Sequence, residues 1–189
     1  MSTYVTHTTD ADSTREFGAR LAPLLQAGDL VMLSGELGAG KTTLAQGIGS
    51  ALNVRGRVSS PTFIVARVHP SLAGGPDLVH VDAYRLSSAE ELDDLDLEFS
   101  LPRSVTVIEW GRDKAEHLSD SRLELDFTRL TGADARFAYS GAEEFNWDDE
   151  DDESDEDADT PEPRLLRVRA FGPRWEHAFD ALKEALQSA

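Results

Sequence analysis

The sequence predicts an α/β fold: a single domain built on a mixed β-sheet flanked by helices, of the P-loop NTPase-like kind. Strand-like and helix-like segments alternate along the 189 residues. A short apolar run, Leu30-Val31-Met32-Leu33-Ser34, leads straight into Gly35-Glu36-Leu37-Gly38-Ala39-Gly40-Lys41-Thr42, which satisfies G-x-x-x-x-G-K-[ST]. A helical pattern follows at once. The length suits one domain with a real core, so residues 1–189 are expected to form a single unit.

Tyr4 to His7 is a short strand candidate. Asp10 or Asp12 can cap a helix whose apolar residues Phe17, Leu21, Leu24 and Leu25 recur at helical spacing. Pro23 falls inside that pattern and is expected to kink the helix near its end. Gly28-Asp29 turns the chain into the apolar run, and the helix after the glycine-rich loop is expected over 41–52. Phe63 to His69 and Asp77 to Asp82 read as a hairpin around Gly74-Gly75-Pro76. Ser87-Ser88-Ala89-Glu90-Glu91 is a capped helix start. Val105 to Ile108 is a buried strand candidate, and Leu123–Phe127, Arg136–Tyr139 and Leu165–Phe171 alternate as strands do. A closing helix is expected from Arg174 to Leu186.

The net charge of −18 is concentrated in one place. Residues 143–162 hold 13 Asp and Glu and no Lys or Arg, which leaves 23 acidic against 18 basic residues elsewhere. A stretch of this composition cannot bury enough surface to order itself, so a disordered surface loop is expected at about 142–163. The remainder is mildly acidic and has no basic patch able to grip a nucleic-acid backbone unaided. With no cysteine, disulfides, thiolate metal sites and cysteine nucleophiles are excluded. No apolar run has the length needed to cross a bilayer and no leader pattern opens the chain, so no membrane association and a cytoplasmic location are expected.

The residue types of the loop explain its chemistry. Gly35, Gly38 and Gly40, with Ala39 between them, let the backbone curl so that its N–H groups face a phosphate chain. The helix beginning at Lys41 adds its partial positive end. Lys41 places a charge on the β- and γ-phosphates, and the Thr42 hydroxyl can reach a magnesium ion. The expected ligands are therefore ATP and Mg2+.

An enzyme of this type needs a carboxylate at the end of a neighbouring apolar strand. Two positions offer one: Leu78-Val79-His80-Val81 leads to Asp82, and Val105-Thr106-Val107-Ile108 leads to Glu109. Spacing does not rank them. If both reach the same end of the sheet, one serves the metal and the other orients or deprotonates the attacking water. Ser59-Ser60-Pro61-Thr62-Phe63 lies between the loop helix and Asp82, where its hydroxyls either sense the γ-phosphate or form a strand-entry turn. Trp110 follows Glu109, which places it near the nucleotide or in the core.

With these pieces assembled, the chain resembles the TsaE family, the small ATPases of bacterial tRNA threonylcarbamoyladenosine biosynthesis. The resemblance rests on Gly35 to Thr43, Ser60-Pro61-Thr62-Phe63, His80-Val81-Asp82-Ala83-Tyr84-Arg85-Leu86 and Ile108-Glu109-Trp110, and it spans roughly Asp10 to Phe127. It implies a phosphate loop at Gly38 to Thr43, magnesium ligands at Thr42 and Glu109, a catalytically important Asp82, a switch-like segment at Ser60 to Thr62 and a site tryptophan at Trp110. It implies as partners TsaB and TsaD, which transfer a threonylcarbamoyl group to N6 of adenosine 37 in tRNAs reading ANN codons. The tRNA would be met only through that pair, which fits the absence of a basic face. Glu36 stands where the family more often has Asp, at a place where the backbone does the binding. Arg85 has two open roles, a partner contact or an anchor for the Asp82 segment.

Two other functions share the loop. A small-molecule P-loop kinase would need an arginine-rich lid, and no basic cluster follows the third strand candidate. A nucleotide-dependent binding module with negligible hydrolysis differs from the ATPase in showing no partner-stimulated turnover. A GTPase is disfavoured, because no Asn-Lys-x-Asp segment is present.

Overall fold

The computed structural model describes residues 1–130 and 163–187. Within them run β1 (Ser2–Thr8), α1 (Ala11–Leu21), β2 (Leu30–Gly35), α2 (Lys41–Ala51), β3 (Ala66–His69) and β4 (Asp77–Asp82). There follow α3 (Ala89–Asp93), β5 (Ser104–Glu109), β6 (Arg122–Arg129), β7 (Arg164–Phe171), α4 (Pro173–Glu176) and α5 (Phe179–Gln187). The strand expected at Arg136–Tyr139 and the acidic stretch at 143–162 lie outside the described residues.

The strands form one mixed sheet in the order β1-β7-β6-β2-β5-β4-β3. Its centre is parallel, with β2 between β5 and β6 and β4 beside β5. Antiparallel pairs flank it, β3 on β4 at one edge and β6-β7-β1 at the other. Leu30, Val31, Met32 and Leu33 are all buried because both faces of β2 are covered. Val31 and Leu33, with Leu78, Val105 and Val107, join the core beneath α1, α2 and α5. Leu30, Met32, Val79, Val81 and Ile108 meet the second core, under Leu92, Leu97 and Leu101. Side-chain parity therefore turns His80, Asp82 and Glu109 toward the α2 face, two or four residues on from Leu78 and Val107.

Several expectations are corrected at element boundaries. Asp10 is the N-cap of α1, accepting from the Ser13 amide at 2.7 Å, and the helix ends before Pro23, which sits in a separate turn at Ala22–Leu24. Proline ends the helix rather than kinking it, since it brings no amide for the last turn. Phe63 to Val65 are not strand. They form a turn in which the amides of Ile64 and Val65 both bond the Pro61 carbonyl, so β3 starts only at Ala66. The hairpin of β3 and β4 itself stands. The closing helix is broken into α4 and α5 by His177 and Ala178. Ser88 caps α3 as expected, with the Ser87 amide bonded to Glu91 Oε2 at 2.8 Å. No described helix is long and apolar enough to cross a membrane.

Candidate nucleotide and metal site

At the C-terminal end of the parallel strands, β2 passes into α2 through the glycine-rich loop. Gly40 caps α2 with φ of 105°, a conformation that glycine adopts without a steric penalty. The loop walls a cavity of about 240 Å3 lined by Gly38, Ala39, Gly40, Lys41, Thr42 and Thr43. Across it stand Ser60, Thr62, Asp82, Glu109 and Trp110. Of the residues expected to serve catalysis, nucleotide or metal, Gly35 alone lies outside this wall. It sits behind it and supplies a carbonyl to Lys41.

Lys41 is 5% exposed, and its ammonium donates to the carbonyls of Gly35 and Glu36, each at 2.8 Å. It also lies 3.9 Å from the centre of the Trp110 ring. Burial pushes this ammonium below its ordinary pKa, while the negative charges of Glu109 and Asp82 oppose the shift. An arriving phosphate chain would act in the same direction as those carboxylates. Trp110 reaches this place through a left-handed backbone, φ of 61°, fixed by its amide bond to the Leu33 carbonyl at 2.9 Å. That conformation is costly for an aromatic residue and recurs at functional sites. The ring also meets Tyr84, with centroids 5.2 Å apart.

Asp82 and Glu109 are direct register partners on the parallel pair β4 and β5, so both carboxylates reach the same end of the sheet. Their surroundings divide them. Glu109 Oε1 accepts from the Thr42 hydroxyl and from His80 Nε2, both at 2.8 Å. Asp82 Oδ2 accepts from the hydroxyls of Thr62 at 2.5 Å and Ser60 at 3.1 Å, and its Oδ1 from the Tyr84 amide at 3.1 Å. The Ser60-Pro61-Thr62 segment is therefore tied to Asp82 and not to the loop. Arg85 stacks on the exposed Phe63 ring at 5.0 Å.

A magnesium ion fits the oxygen pair of Thr42 and Glu109, hard donors that already converge beside the phosphate loop. Among the described residues no three His, Asp or Glu side chains gather elsewhere to hold a metal. A site with few protein oxygens is what this ion takes when phosphates and water complete its shell.

Sequence reasoning passed over three residues of this site. His80 is fully buried beneath Glu109. Its place two residues before Asp82 on a strand could have revealed it by parity. Thr14 comes from α1, and Arg164 arrives from the far end of the chain as the first residue of β7. No local signal marks either of them.

Residues 8–137 match the family model described as "Threonylcarbamoyl adenosine biosynthesis protein TsaE". The tRNA threonylcarbamoyladenosine biosynthesis protein TsaE of Streptomyces coelicolor is 65% identical over 119 residues, covering 62% of this chain and 80% of that one. Its namesake from Mycobacterium tuberculosis is 48% identical over 134 residues, covering 67% and 80%. Among solved structures, Bacillus subtilus YdiB superposes with a TM-score of 0.66 over 97% of this chain and 95% of that one, at 21% identity, which speaks to the fold. The chain belongs to the TsaE family.

Proposed function

We propose that the protein binds ATP with magnesium and hydrolyses it in support of tRNA threonylcarbamoyladenosine formation, acting with the TsaB–TsaD pair. The observation that carries this reading is the difference in partners between two register-paired carboxylates at one end of the sheet. Glu109 is bonded to the Thr42 hydroxyl, while Asp82 is bonded to two hydroxyls of a separate segment.

In this reading the loop amides and the start of α2 hold the phosphates. Lys41 leaves the carbonyls of Gly35 and Glu36 for phosphate oxygens, with the Trp110 ring keeping water from one side of the ammonium. Magnesium at Thr42 and Glu109 would neutralise charge on the β- and γ-phosphate oxygens. Asp82 orients the attacking water, and the hydroxyls of Ser60 and Thr62 hold its carboxylate in place until nucleotide arrives. Leu37 on the cavity wall, Tyr84 against Trp110, and Phe63 and Ile64 directly after Thr62 are between 61% and 86% exposed. Apolar surface of this kind around a catalytic mouth supports a protein partner that covers it.

The test is phosphate release from ATP by the purified protein, alone and with the cognate TsaB–TsaD pair. Low basal release that rises with the pair, and is lost in Lys41→Ala and Asp82→Ala, is the expected result. Wild-type release in Lys41→Ala would remove the ATPase assignment. Tight ATP binding with no stimulation by the pair would remove the partners.

A further inference from the structure

Helix α2 begins with Lys41 at the phosphate loop and ends at Ala51, about 15 Å away along its axis. Toward that far end a second cavity, of about 400 Å3, opens between α1, α2 and the segment that follows α2. Its size is that of a small-molecule site. The polar part of its wall is Arg15 from α1, Gln46 and Ser50 from α2, and Asn53 and Arg57 from the segment beyond. Each of these side chains can donate a hydrogen bond, and two are permanently cationic. No Asp or Glu lines the cavity, although the chain holds 36 of them against 18 Lys and Arg. The wall offers donors and no anionic acceptor.

The segment after α2 is fastened at its start and open beyond. The Val54 amide bonds the Gly49 carbonyl at 3.2 Å, and the Arg55 amide bonds the Pro70 carbonyl at 2.8 Å. Gly56 then takes φ of 80°, and a Cβ there would meet nothing within 4 Å, so this glycine answers to conformation and not to room. Among the described residues, no acceptor meets the backbone amides of Gly56 and Arg57 or the Arg57 guanidinium. Open amides beside a left-handed residue form anion-binding concavities, and a guanidinium matches the oxygens of a phosphate. Arg15 is bonded to the exposed Asp12, a pair that solvent weakens. Buried Val54 and Val58 supply the apolar part of the wall. We propose that this cavity is a second anion site, which takes a phosphate monoester of a small molecule. Its dianionic phosphate lies against Arg57 and the open amides, and its organic part lies on Val54 and Val58. The site is separate from the phosphate loop, so it stands or falls independently of the nucleotide reading.

The experiment is a residue-resolved NMR titration of the isotope-labelled full chain, with ADP and magnesium present. The probes are inorganic phosphate, phenyl phosphate and dimethyl phosphate. Phenyl phosphate is expected to move the backbone amide signals of Gly56 and Arg57, and the side-chain amide signals of Gln46 and Asn53, along one saturable curve. Inorganic phosphate should do so more weakly, and dimethyl phosphate, with one charge fewer, more weakly by about tenfold or more. Arg57→Ala should lower the affinity for phenyl phosphate by about tenfold or more. Asp12→Asn, which releases Arg15, should raise it by about threefold. Signals that move only at residues 38–43, or that drift without saturating, would overturn the proposal. So would an Arg57→Ala protein that binds phenyl phosphate as the wild type does. Dimethyl phosphate binding as tightly as phenyl phosphate would overturn the monoester and point to the backbone phosphates of a nucleic acid.

Discussion

His80 Nε2 lies 2.8 Å from Oε1 of Glu109, and both side chains are buried. The same oxygen takes the Thr42 hydroxyl, so histidine and threonine together fix one orientation of the carboxylate. In His80→Leu the carboxylate keeps only the threonine and can swing. Residues that orient a metal ligand typically contribute about 10–100-fold in metal affinity. We expect ATP binding without divalent ions to stay within about twofold, while the magnesium needed for half-maximal binding rises by about tenfold. His80→Gln should recover much of the loss. A titration of magnesium against bound nucleotide checks this. Equal weakening with and without magnesium would reduce His80 to a packing residue.

Asp82 offers the complementary test. Its Oδ2 takes two hydroxyls and makes no bond to the loop, so Asp82→Asn preserves shape while removing the charge that would attract a water proton. ATP affinity should change by less than about threefold, and single-turnover phosphate release should fall by about 100-fold or more, the usual contribution of such a group. Measuring binding and release on the same preparation separates the two effects. Undiminished release would pass the role to another residue.

The phosphate loop and the two carboxylates are legible in the sequence because each is fixed by local rules: glycine at a positive φ, a carboxylate ending an apolar strand, parity along the strand. Trp110, which the sequence leaves between the nucleotide and the core, lines the cavity through a left-handed backbone that no local pattern marks. The hydroxyl segment at Ser60 to Thr62 was legible as chemistry but not as structure. Its proline supports a turn in which Val65 holds φ of 65°, so the strand expected from Phe63 waits until Ala66. Thr14 and Arg164 were not legible. Arg164 reaches the cavity through pairings of β7 with β1 and with β6, and Thr14 through the packing of α1 against α2, tertiary contacts about which local periodicity carries no information.

The first turn of α1 forms one wall of the cavity, so its cap bears on both stability and the site. Asp10 accepts from the Ser13 amide, and that bond is the chief cause of its lowered pKa. Between the ordinary value of 3.8 and the lower folded value, the unfolded chain binds more protons than the folded one. Stability from this group is thus present above the ordinary carboxylate range and is lost as pH falls through the folded value. Asp10→Ala should cost about 1 kcal/mol near neutral pH, a drop of about 2–4 °C in Tm. Asp10→Asn should stay close to wild type there and lack the wild type's added loss through the acidic window. Thermal melts as a function of pH compare all three.

Two glycines set how closely α1 meets α2, the helix that begins with Lys41 and Thr42. A Cβ on Gly47 would fall 1.9 Å from the Arg15 carbonyl oxygen, and one on Gly18 would fall 2.3 Å from that of Leu44. Both obstacles are backbone, so no rotamer relieves them and the helices must part. Replacing a helical glycine by alanine gains about 1 kcal/mol in propensity. Overpacking costs about 1–3 kcal/mol or more, and at contacts this short the upper end applies, so each alanine should destabilise. The two clashes close the same gap, so Gly18→Ala with Gly47→Ala should cost less than the sum of the singles. Gly75→Ala is the control, its new Cβ meeting nothing nearer than Ser71 Oγ at 3.8 Å. Denaturant melts give the stabilities, and ATP titration of the surviving folded protein gives the effect on the site. Because Thr14 rides on α1 and Lys41 on α2, weaker binding is expected even where the protein still folds. A Gly47→Ala protein with wild-type stability and affinity would show that the helices are not held at this spacing.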